Sequence, residues 1–336
     1  MADAPRRKPT LDEVAERAGV SRSAASRVLN NAPHVRRDKR EAVQRAIREL
    51  DYVPDTTARA LATSRRNAAA LVISGETPSI FADPFFARVI VGASAALEEA
   101  GLHLMLCLAA SDRSRRRLEE LLRARGVDGV LLMAVRENDP VLHIAGGTEL
   151  PVVFGGRPVG YEPPWYVDVD NVGGARRATE HLIGRGRSRV VMICGPLDSQ
   201  VSRARHRGYR EAMILAGLEP LPPEYGTFAR PTGAAAMAGL LERHPDLDGV
   251  FAANDNMAAD ALRALREAGR TVPGDVAVVG FDDLDIAKIT EPPLTTVHQP
   301  IEALGREMAR LLVRLVAGEE PNSLILPTEL VTRAST

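Results

Sequence analysis

Arg205, Asn254 and Asp282 are the side chains in the sequence best suited to hold a small ligand. Each one comes just after a predicted strand or near the start of the next helix, where side chains of parallel-sheet proteins converge on a cleft. Guanidinium, amide and carboxylate groups can bind adjacent sugar hydroxyls, while an aromatic ring covers the apolar face of the sugar. Taken singly, each residue is equally compatible with a turn, a helix cap or an exposed helix arginine.

Catalysis is a less favoured use of the same region. Asp282 and Asp283 could form an acid–base pair, but adjacent side chains usually point apart and no partner residue is evident. The chain has no dinucleotide, Walker, GxSxG or HExxH signature. Its seven histidines lack metal-ligand spacing, and Cys107 and Cys194 lie in apolar runs typical of core residues. We therefore expect no enzyme, no metal site and no cofactor.

The first 50 residues offer a second kind of chemistry, suited to nucleic acid. The capping box Thr10–Glu13 begins one helix, Gly19 ends it, and Ser21 can cap a second helix over residues 22–29. A third helix over about 37–50 braces the pair, which predicts a helix-turn-helix. The second helix exposes hydroxyls and guanidiniums that suit phosphates and base edges: Arg22, Ser23, Ser26 and Arg27. The alternative is a three-helix protein-binding unit.

The segment that follows the third helix has almost nothing that could pack in a core. Pro54 ends the third helix, and residues 55–62 then contain one large apolar side chain, Leu61. A helix of this length is not stable alone in water. Such a segment is typical of a linker that folds only against a partner.

From Ala68 onward, apolar runs of strand length alternate with helical stretches, which predicts parallel sheets built from βαβ units. Two such series suggest two doubly wound subdomains with a ligand between them. Predicted strands are Ala68–Ile73, Leu102–Leu108, Gly129–Ala134, Pro151–Phe154, Val190–Cys194, Gly249–Ala253 and Val276–Phe281, and predicted helices cover about 85–100, 113–124, 172–185, 203–216, 233–243 and 256–268.

Charge and hydropathy agree with this division. The 336 residues have a formal net charge of −1, but residues 1–66 contain 15 basic and 9 acidic side chains. A basic head on a mildly acidic body indicates a polyanion partner. The longest apolar run is Leu104–Ala110, too short for a membrane span, and no apolar leader follows the N-terminus. We expect a cytoplasmic protein.

Several linked motifs resemble the lactose/galactose-repressor family of bacterial transcription factors. They are LDEVAERAGVSRSAASRVLNN, the HV pair, the YVP turn, the ARAL segment, and four body motifs that begin at Arg205, Ala253, Gly280 and Pro293. The resemblance implies a DNA-binding domain over 8–53 (helix-turn-helix 11–30), a hinge over 54–66 and an effector and dimerisation domain over 67–333. Within that domain it implies one subdomain over about 67–168 and 297–322, and another over about 169–296 and 323–333.

The resemblance also assigns roles to residues of the head. Arg22 and Ser23 match the variable pair that selects the half-site. Other family-typical base contacts are Ser26, Arg27 and Asn30, and phosphate contacts are Thr10, Ser21, His34 and Tyr52. In the hinge, Ala58 and Arg59 accompany Leu61, which matches the apolar wedge of the minor groove. Ala24-Ala25 and Asp55 depart from the common family pattern.

For the effector cleft, the resemblance implies a set drawn from both lobes: Ser74, Asp83, Phe85, Arg205, Phe228, Asn254 and Asp282. Gly156 departs from sugar-responsive members, and Ser199 and Val201 disfavour a purine. We expect a sugar or a sugar-derived effector, and a nucleoside or purine stays open as the alternative. A transport receptor of the same two-lobed fold is disfavoured, because it would need a leader and no helix-turn-helix.

The sequence therefore predicts a ligand-responsive regulator, most often a repressor in this family, acting on carbohydrate-utilisation genes. Two heads on a symmetric dimer can span a pseudo-palindromic operator. Residues 330–336 leave no room for the heptad-repeat tail of the family's tetramers. We expect a homodimer with no membrane partner.

Overall fold

A computed structural model describes residues 9–29, 35–52, 66–75 and 82–336 of the chain. These residues fall into two compact units, and the division lies between Arg66 and Asn67. Five predicted DNA-contacting positions lie outside the described residues: Asn30, His34, Ala58, Arg59 and Leu61.

The described residues of the first unit form three helices, α1 (Leu11–Arg17), α2 (Arg22–Leu29) and α3 (Arg37–Glu49). The capping box at the start of α1 is formed as predicted: the Glu13 amide donates to Thr10 Oγ1 over 3.3 Å, and the Thr10 amide donates to the Glu13 carboxylate over 2.7 Å. Gly19, with φ of +65°, makes the turn before α2. The predicted helix-turn-helix is confirmed.

The core of this head is small. Among the described residues it consists of six buried side chains, and Tyr52 and Leu11 pack against its margin. An exposed ion pair between Arg17 and Glu49, 2.7 Å apart, joins α1 to α3. The six core residues are Val14, Ala15, Ala25, Val28, Val43 and Ala46.

The second unit contains two sheets. The first is wholly parallel, in the order β11-β5-β4-β3-β1-β2. Its strands are β1 (Ala68–Ile73), β2 (His103–Leu108), β3 (Gly129–Met133), β4 (Val152–Gly155), β5 (Tyr166–Val169) and β11 (Leu324–Leu326), and its helices are α4 (Pro84–Glu99), α5 (Asp112–Arg123), α6 (Val141–Gly146) and α12 (Ile301–Val316).

The second sheet has the order β12-β10-β9-β8-β6-β7, and only the pairing of β12 is antiparallel. Its strands are β6 (Val190–Cys194), β7 (Glu224–Tyr225), β8 (Gly249–Ala252), β9 (Ala277–Asp282), β10 (Thr295–His298) and β12 (Glu329–Val331), and its helices are α7 (Asn171–Gly184), α8 (Gln200–Leu215), α9 (Thr232–Arg243), α10 (Asp255–Glu267) and α11 (Asp285–Ile289). We call the two halves the first lobe and the second lobe.

The chain crosses between the lobes three times, after β5, after β10 and after β11. The expected assignment of 297–322 to the first lobe and of 323–333 to the second needs correction. Strand β10 still belongs to the second sheet, and β11 pairs with β5 in the first. Both are short strands next to prolines, so hydrophobic periodicity does not reveal them.

Close helix packing completes the first lobe. A Cβ at Gly92 of α4 would lie 1.9 Å from the Glu302 carbonyl oxygen, and one at Gly305 of α12 would lie 2.1 Å from the Val89 carbonyl oxygen. Only glycine allows the backbones of α4 and α12 to touch in this way. Among the described residues, the longest helices fall short of the length and apolarity needed to cross a bilayer.

Candidate functional site

A cleft of about 630 Å³ opens between the two lobes, where the carboxyl ends of both sheets face each other. This is the position at which parallel α/β sheets bind ligands. The structure brings all seven effector residues named from the sequence to its walls: Ser74, Asp83, Phe85, Arg205, Phe228, Asn254 and Asp282.

Arg205 lies at the base of the cleft and is only 3% exposed. Its Nε donates to Asn171 Oδ1 over 2.9 Å, and its Nη1 donates to the Ala253 carbonyl over 2.5 Å and to Asp282 Oδ1 over 3.3 Å. The guanidinium also lies 3.6 Å from the centroid of the Phe281 ring. Burial lowers the pKa of Arg205, and the neighbouring Asp282 carboxylate opposes that shift. The side chain is thus fixed before any ligand arrives.

Asp282, at the end of β9, completes this buried group. Its Oδ1 accepts a 2.5 Å hydrogen bond from Gln299 Nε2 in addition to the one from Arg205. Burial raises the pKa of Asp282 to about 7, although Arg205 acts in the opposite direction. Both of these hydrogen bonds are made to Oδ1, and a ligand hydroxyl that donates to the carboxylate would favour its ionised form.

Asn254 and Phe228 act as a pair. The Asn254 Oδ1 accepts from the Met257 amide over 3.0 Å, which caps α10, and its Nδ2 donates to the Phe228 carbonyl over 2.8 Å. Asn254 thus holds the loop that carries the aromatic ring. A Cβ at Gly195 would lie 2.2 Å from Phe228 Cζ, so only glycine leaves room for the ring in this position.

The first lobe supplies a polar pair and an aromatic wall. Ser74 Oγ donates to Asp139 Oδ2 over 2.5 Å. Asp83 caps α4 by accepting from the Phe85 amide over 3.1 Å, and burial raises its pKa. The Phe85 ring meets that of Phe86 edge-on, with centroids 5.4 Å apart.

Several cleft residues were not identified from the sequence. Asp168 Oδ1 accepts from Asn171 Nδ2 over 3.1 Å, and its Oδ2 accepts from Arg157 Nε over 3.0 Å. The run Asp168-Val169-Asp170-Asn171 spans the end of β5 and the start of α7, and Gln299 lies within a recognised motif, so each position carried only a local signal. The charged side chains of the cleft are balanced, with Asp83, Asp168 and Asp282 against Arg136, Arg157 and Arg205.

A metal site finds no support in the geometry. Within the described ranges, no group of three or more histidine, cysteine, aspartate or glutamate side chains is placed to hold a metal ion. Both cysteines favour the protonated thiol over the metal-binding thiolate, because burial raises the pKa of Cys107 and raises that of Cys194 to about 12.

The head presents the expected side chains on α2. Arg22, Ser23 and Arg27 are exposed and Ser26 is half-buried. A long ion pair, 3.4 Å, joins Arg22 to Asp12, both largely exposed. Ser21 Oγ accepts from the Ala24 amide over 3.3 Å at the start of α2. Thr10 and Ser21 therefore act as helix caps, and Tyr52 packs on the head core. Helix starts are also where phosphates bind.

Comparison with known proteins gives consistent matches. The profile "Bacterial regulatory proteins, lacI family" matches residues 10–55, and the profile "Periplasmic binding protein-like domain" matches residues 179–336. HTH-type transcriptional regulator CelR of Thermobifida fusca is 47% identical over 336 residues, which is 98% of this chain and 99% of CelR.

Solved structures extend the likeness to three dimensions. The structure of a transcriptional regulator CelR–cellobiose complex is 45% identical, with a TM-score of 0.78 over 98% of this chain and 100% of that chain. The lac repressor dimer bound to operator and the anti-inducer ONPF is 27% identical, with a TM-score of 0.86 over 98% and 99% of the two chains.

Proposed function

Since the chain belongs to the lacI family of bacterial regulatory proteins and is a DNA-binding transcriptional regulator, we propose that it represses carbohydrate-utilisation genes until a glucose disaccharide such as cellobiose enters its cleft. The observation that carries this proposal is the buried group of Arg205, Asp282 and Gln299 at the base of that cleft. These planar groups are held in position beside an aromatic ring, which is the arrangement that sugars require.

Charge supports a neutral ligand. Each guanidinium that lines the cleft already has a carboxylate partner, Asp198 for Arg136, Asp168 for Arg157 and Asp282 for Arg205, so an anionic ligand would have to compete with these pairs. The volume of about 630 Å³ lies well within the range of small-molecule sites. Ser199 and Val201, which also line the cleft, add no charged group that would favour the nucleoside alternative. The CelR–cellobiose complex makes cellobiose the first ligand to test.

The polar groups suggest how a sugar is held. A ligand hydroxyl donates to the Asp282 carboxylate, and Arg205 donates to a neighbouring hydroxyl oxygen. Phe228 covers an apolar face of the sugar ring. We assign Asp282 a binding role, because Arg205 and Gln299 hold its carboxylate in position at the base of the cleft.

Helix α2 is the element that we propose recognises the operator. We propose that Arg22 and Ser23 select the half-site in the major groove while Ser26 and Arg27 add contacts. Asn30, His34, Ala58, Arg59 and the Leu61 wedge stay predictions that rest on the family resemblance. In this scheme, effector binding alters the spacing of the two Leu61 segments in a dimer and so melts or folds the hinge.

A homodimer that binds a pseudo-palindrome is the assembly we propose, working in the cytoplasm where the DNA is. Strand β2 lies at the edge of the first sheet and exposes Met105 and Leu106 at 39% and 38%, and Val91 of the same lobe is 59% exposed. Apolar side chains beside an unpaired strand edge favour association. Light scattering should give a dimer mass, and Leu106→Glu should shift it toward the monomer. A tetramer at micromolar concentration would contradict the dimer.

Calorimetry and thermal shift with purified protein test the effector directly. We expect cellobiose to bind, and at 100 times its dissociation constant to add about 2.7 kcal/mol to the stability of the second unit. Maltose, which has the same atoms with the other linkage, and glucose serve as matched controls. Absence of stabilisation by cellobiose would overturn the assignment of cellobiose as the effector, whatever maltose and glucose do.

A further inference from the structure

Four charged side chains join the two lobes at the mouth of the cleft. Arg136 Nη1 of the first lobe lies 2.6 Å from Asp198 Oδ1 of the second, and Arg203 Nη2 of the second lies 2.5 Å from Glu137 Oε2 of the first. The backbone takes part as well, since the Glu137 amide donates to the Asp198 carbonyl over 2.9 Å. We call these three contacts the mouth bridge.

The elements that carry the mouth bridge lie away from the three crossovers. Residues 136 and 137 follow β3, which β4 separates from β5 in the first sheet. Residue 198 follows β6, which β8 and β9 separate from β10 in the second sheet. A rotation of the lobes about the crossovers therefore moves the two halves of the mouth bridge apart. Hydrogen bonds weaken steeply beyond about 3.2 Å, so even a small opening breaks all three contacts.

The second-lobe half of the bridge is held in place locally. Arg203 Nε donates to the Leu197 carbonyl over 2.9 Å, so the side chain that reaches Glu137 also fixes the loop before Asp198. The four charged side chains are between 38% and 50% exposed. They remain accessible to salt, which screens such pairs.

We propose that the mouth bridge is the closing element of the effector site, and that its residues act as positioning residues that slow the release of the effector. Contacts that exist only in the closed form raise the closed fraction, and the apparent affinity of a ligand that needs the closed form rises with it. Of the four side chains, only Arg136 lines the main cleft, so the others act without touching the ligand.

The test uses a double variant of the full chain, Glu137→Gln with Asp198→Asn. These substitutions remove both carboxylate charges of the mouth bridge and keep the size of each side chain. The matched control is Asp246→Asn, because Asp246 forms a similarly exposed 3.0 Å pair with Arg189 inside the second lobe. The first readout is made without ligand, as hydrogen exchange at the residue 137 amide relative to the rate of the same sequence in an unfolded peptide. We expect that exchange to be about three- to tenfold faster in the double variant, the range typical of two exposed ion pairs, and unchanged in the control.

The second readout is the dissociation rate of cellobiose, and it rests on the proposed function. We expect the rate to rise about three- to tenfold in the double variant, with association little changed. In 0.5 M salt the wild type should approach the double variant. Exchange at Glu137 that matches that of the control would overturn the mouth bridge. Absence of cellobiose binding in the wild type would instead overturn the proposed effector and leave the exchange result to decide on the bridge.

Discussion

Arg27 on the proposed DNA-reading face of the head and Arg205 in the cleft present the same guanidinium group in opposite surroundings. Arg27 is exposed on α2, whereas Arg205 is buried, bonded to Asn171, Asp282 and the Ala253 carbonyl, and stacked on Phe281. The difference separates two kinds of recognition residue. An exposed DNA contact can be exchanged without affecting folding, whereas a buried ligand contact also contributes to the stability of the lobe around it.

The largest effect expected from this comparison is on stability. Arg205→Ala leaves the buried Asp282 carboxylate without its charged partner, so the free energy of unfolding of the second unit should fall by about 3–5 kcal/mol. Arg27→Ala should change stability by no more than about 0.5 kcal/mol while weakening operator binding. Urea denaturation measures both.

The control for this prediction is Arg207→Ala on the same helix, where the side chain is 72% exposed. A stability loss in Arg205→Ala no greater than in Arg207→Ala would show that the two guanidiniums are more alike than the structure indicates.

Substitutions on the proposed DNA-reading face should change operator specificity and leave stability unchanged. Exchanging Arg22 and Ser23 for another pair should change the preferred half-site, with about 1–3 kcal/mol of discrimination for each good contact. Thermal stability should stay that of the wild type, because both side chains are exposed. Selection from a random operator library identifies the preferred site, and recovery of the same site for both proteins would remove these residues from the reading face.

The pH dependence of stability tests the buried carboxylate of Asp282 in the cleft. Burial raises the pKa of Asp282 to about 7, whereas an aspartate in an unfolded chain has a pKa near ~3.9. The proton is held more tightly in the folded state, so this contribution to stability is complete below about pH 4 and is lost as the pH rises through 7.

Asp282→Asn removes this titration and serves as the reference. We expect the stability of the wild type relative to Asp282→Asn to fall between pH 4 and pH 8. Denaturation at fixed pH values gives the difference. A relative stability that rises over this interval would mean that the pKa of Asp282 is lowered in the folded protein.

The smallest effect concerns the aromatic ring. Gly195→Ala forces the Phe228 ring out of its position, because the new Cβ would lie 2.2 Å from Cζ. We expect cellobiose to bind about tenfold more weakly, which is ~1.4 kcal/mol, with the fold retained. Gly184→Ala is the matched control, since a Cβ added at Gly184 would meet no atom within 4 Å. Equal affinities in the two variants would remove Phe228 from the site.

The same contrast explains how much the sequence could predict. The head's caps are local, so Thr10, Gly19 and Ser21 indicated α1 and α2 correctly. The strands Ala68–Ile73 and Val190–Cys194 have the predicted bounds because a long buried apolar run leaves one interpretation. These features depend on neighbours in sequence.

What could not be predicted depends on distant parts of the chain. Strand β5 is only four residues long and one of them is the charged Asp168. Its partner strand β11 comes more than 150 residues later in the chain. Asn171 and Gln299 each look like a cap or a turn residue until the fold brings them to Arg205 and Asp282. The mouth bridge is made of surface charges that composition cannot distinguish from any other.

Operator release measures the connection between the two functional surfaces most directly. A labelled operator from the selection is bound by wild type and by Asp282→Asn, and cellobiose is titrated while fluorescence anisotropy reports the bound fraction. Both proteins should bind the operator equally, and cellobiose should release the wild type but not the variant, since Asp282 lies in the cleft and the proposed DNA contacts lie on α2. Equal release of both proteins by cellobiose would show that effector control of the operator does not pass through Asp282.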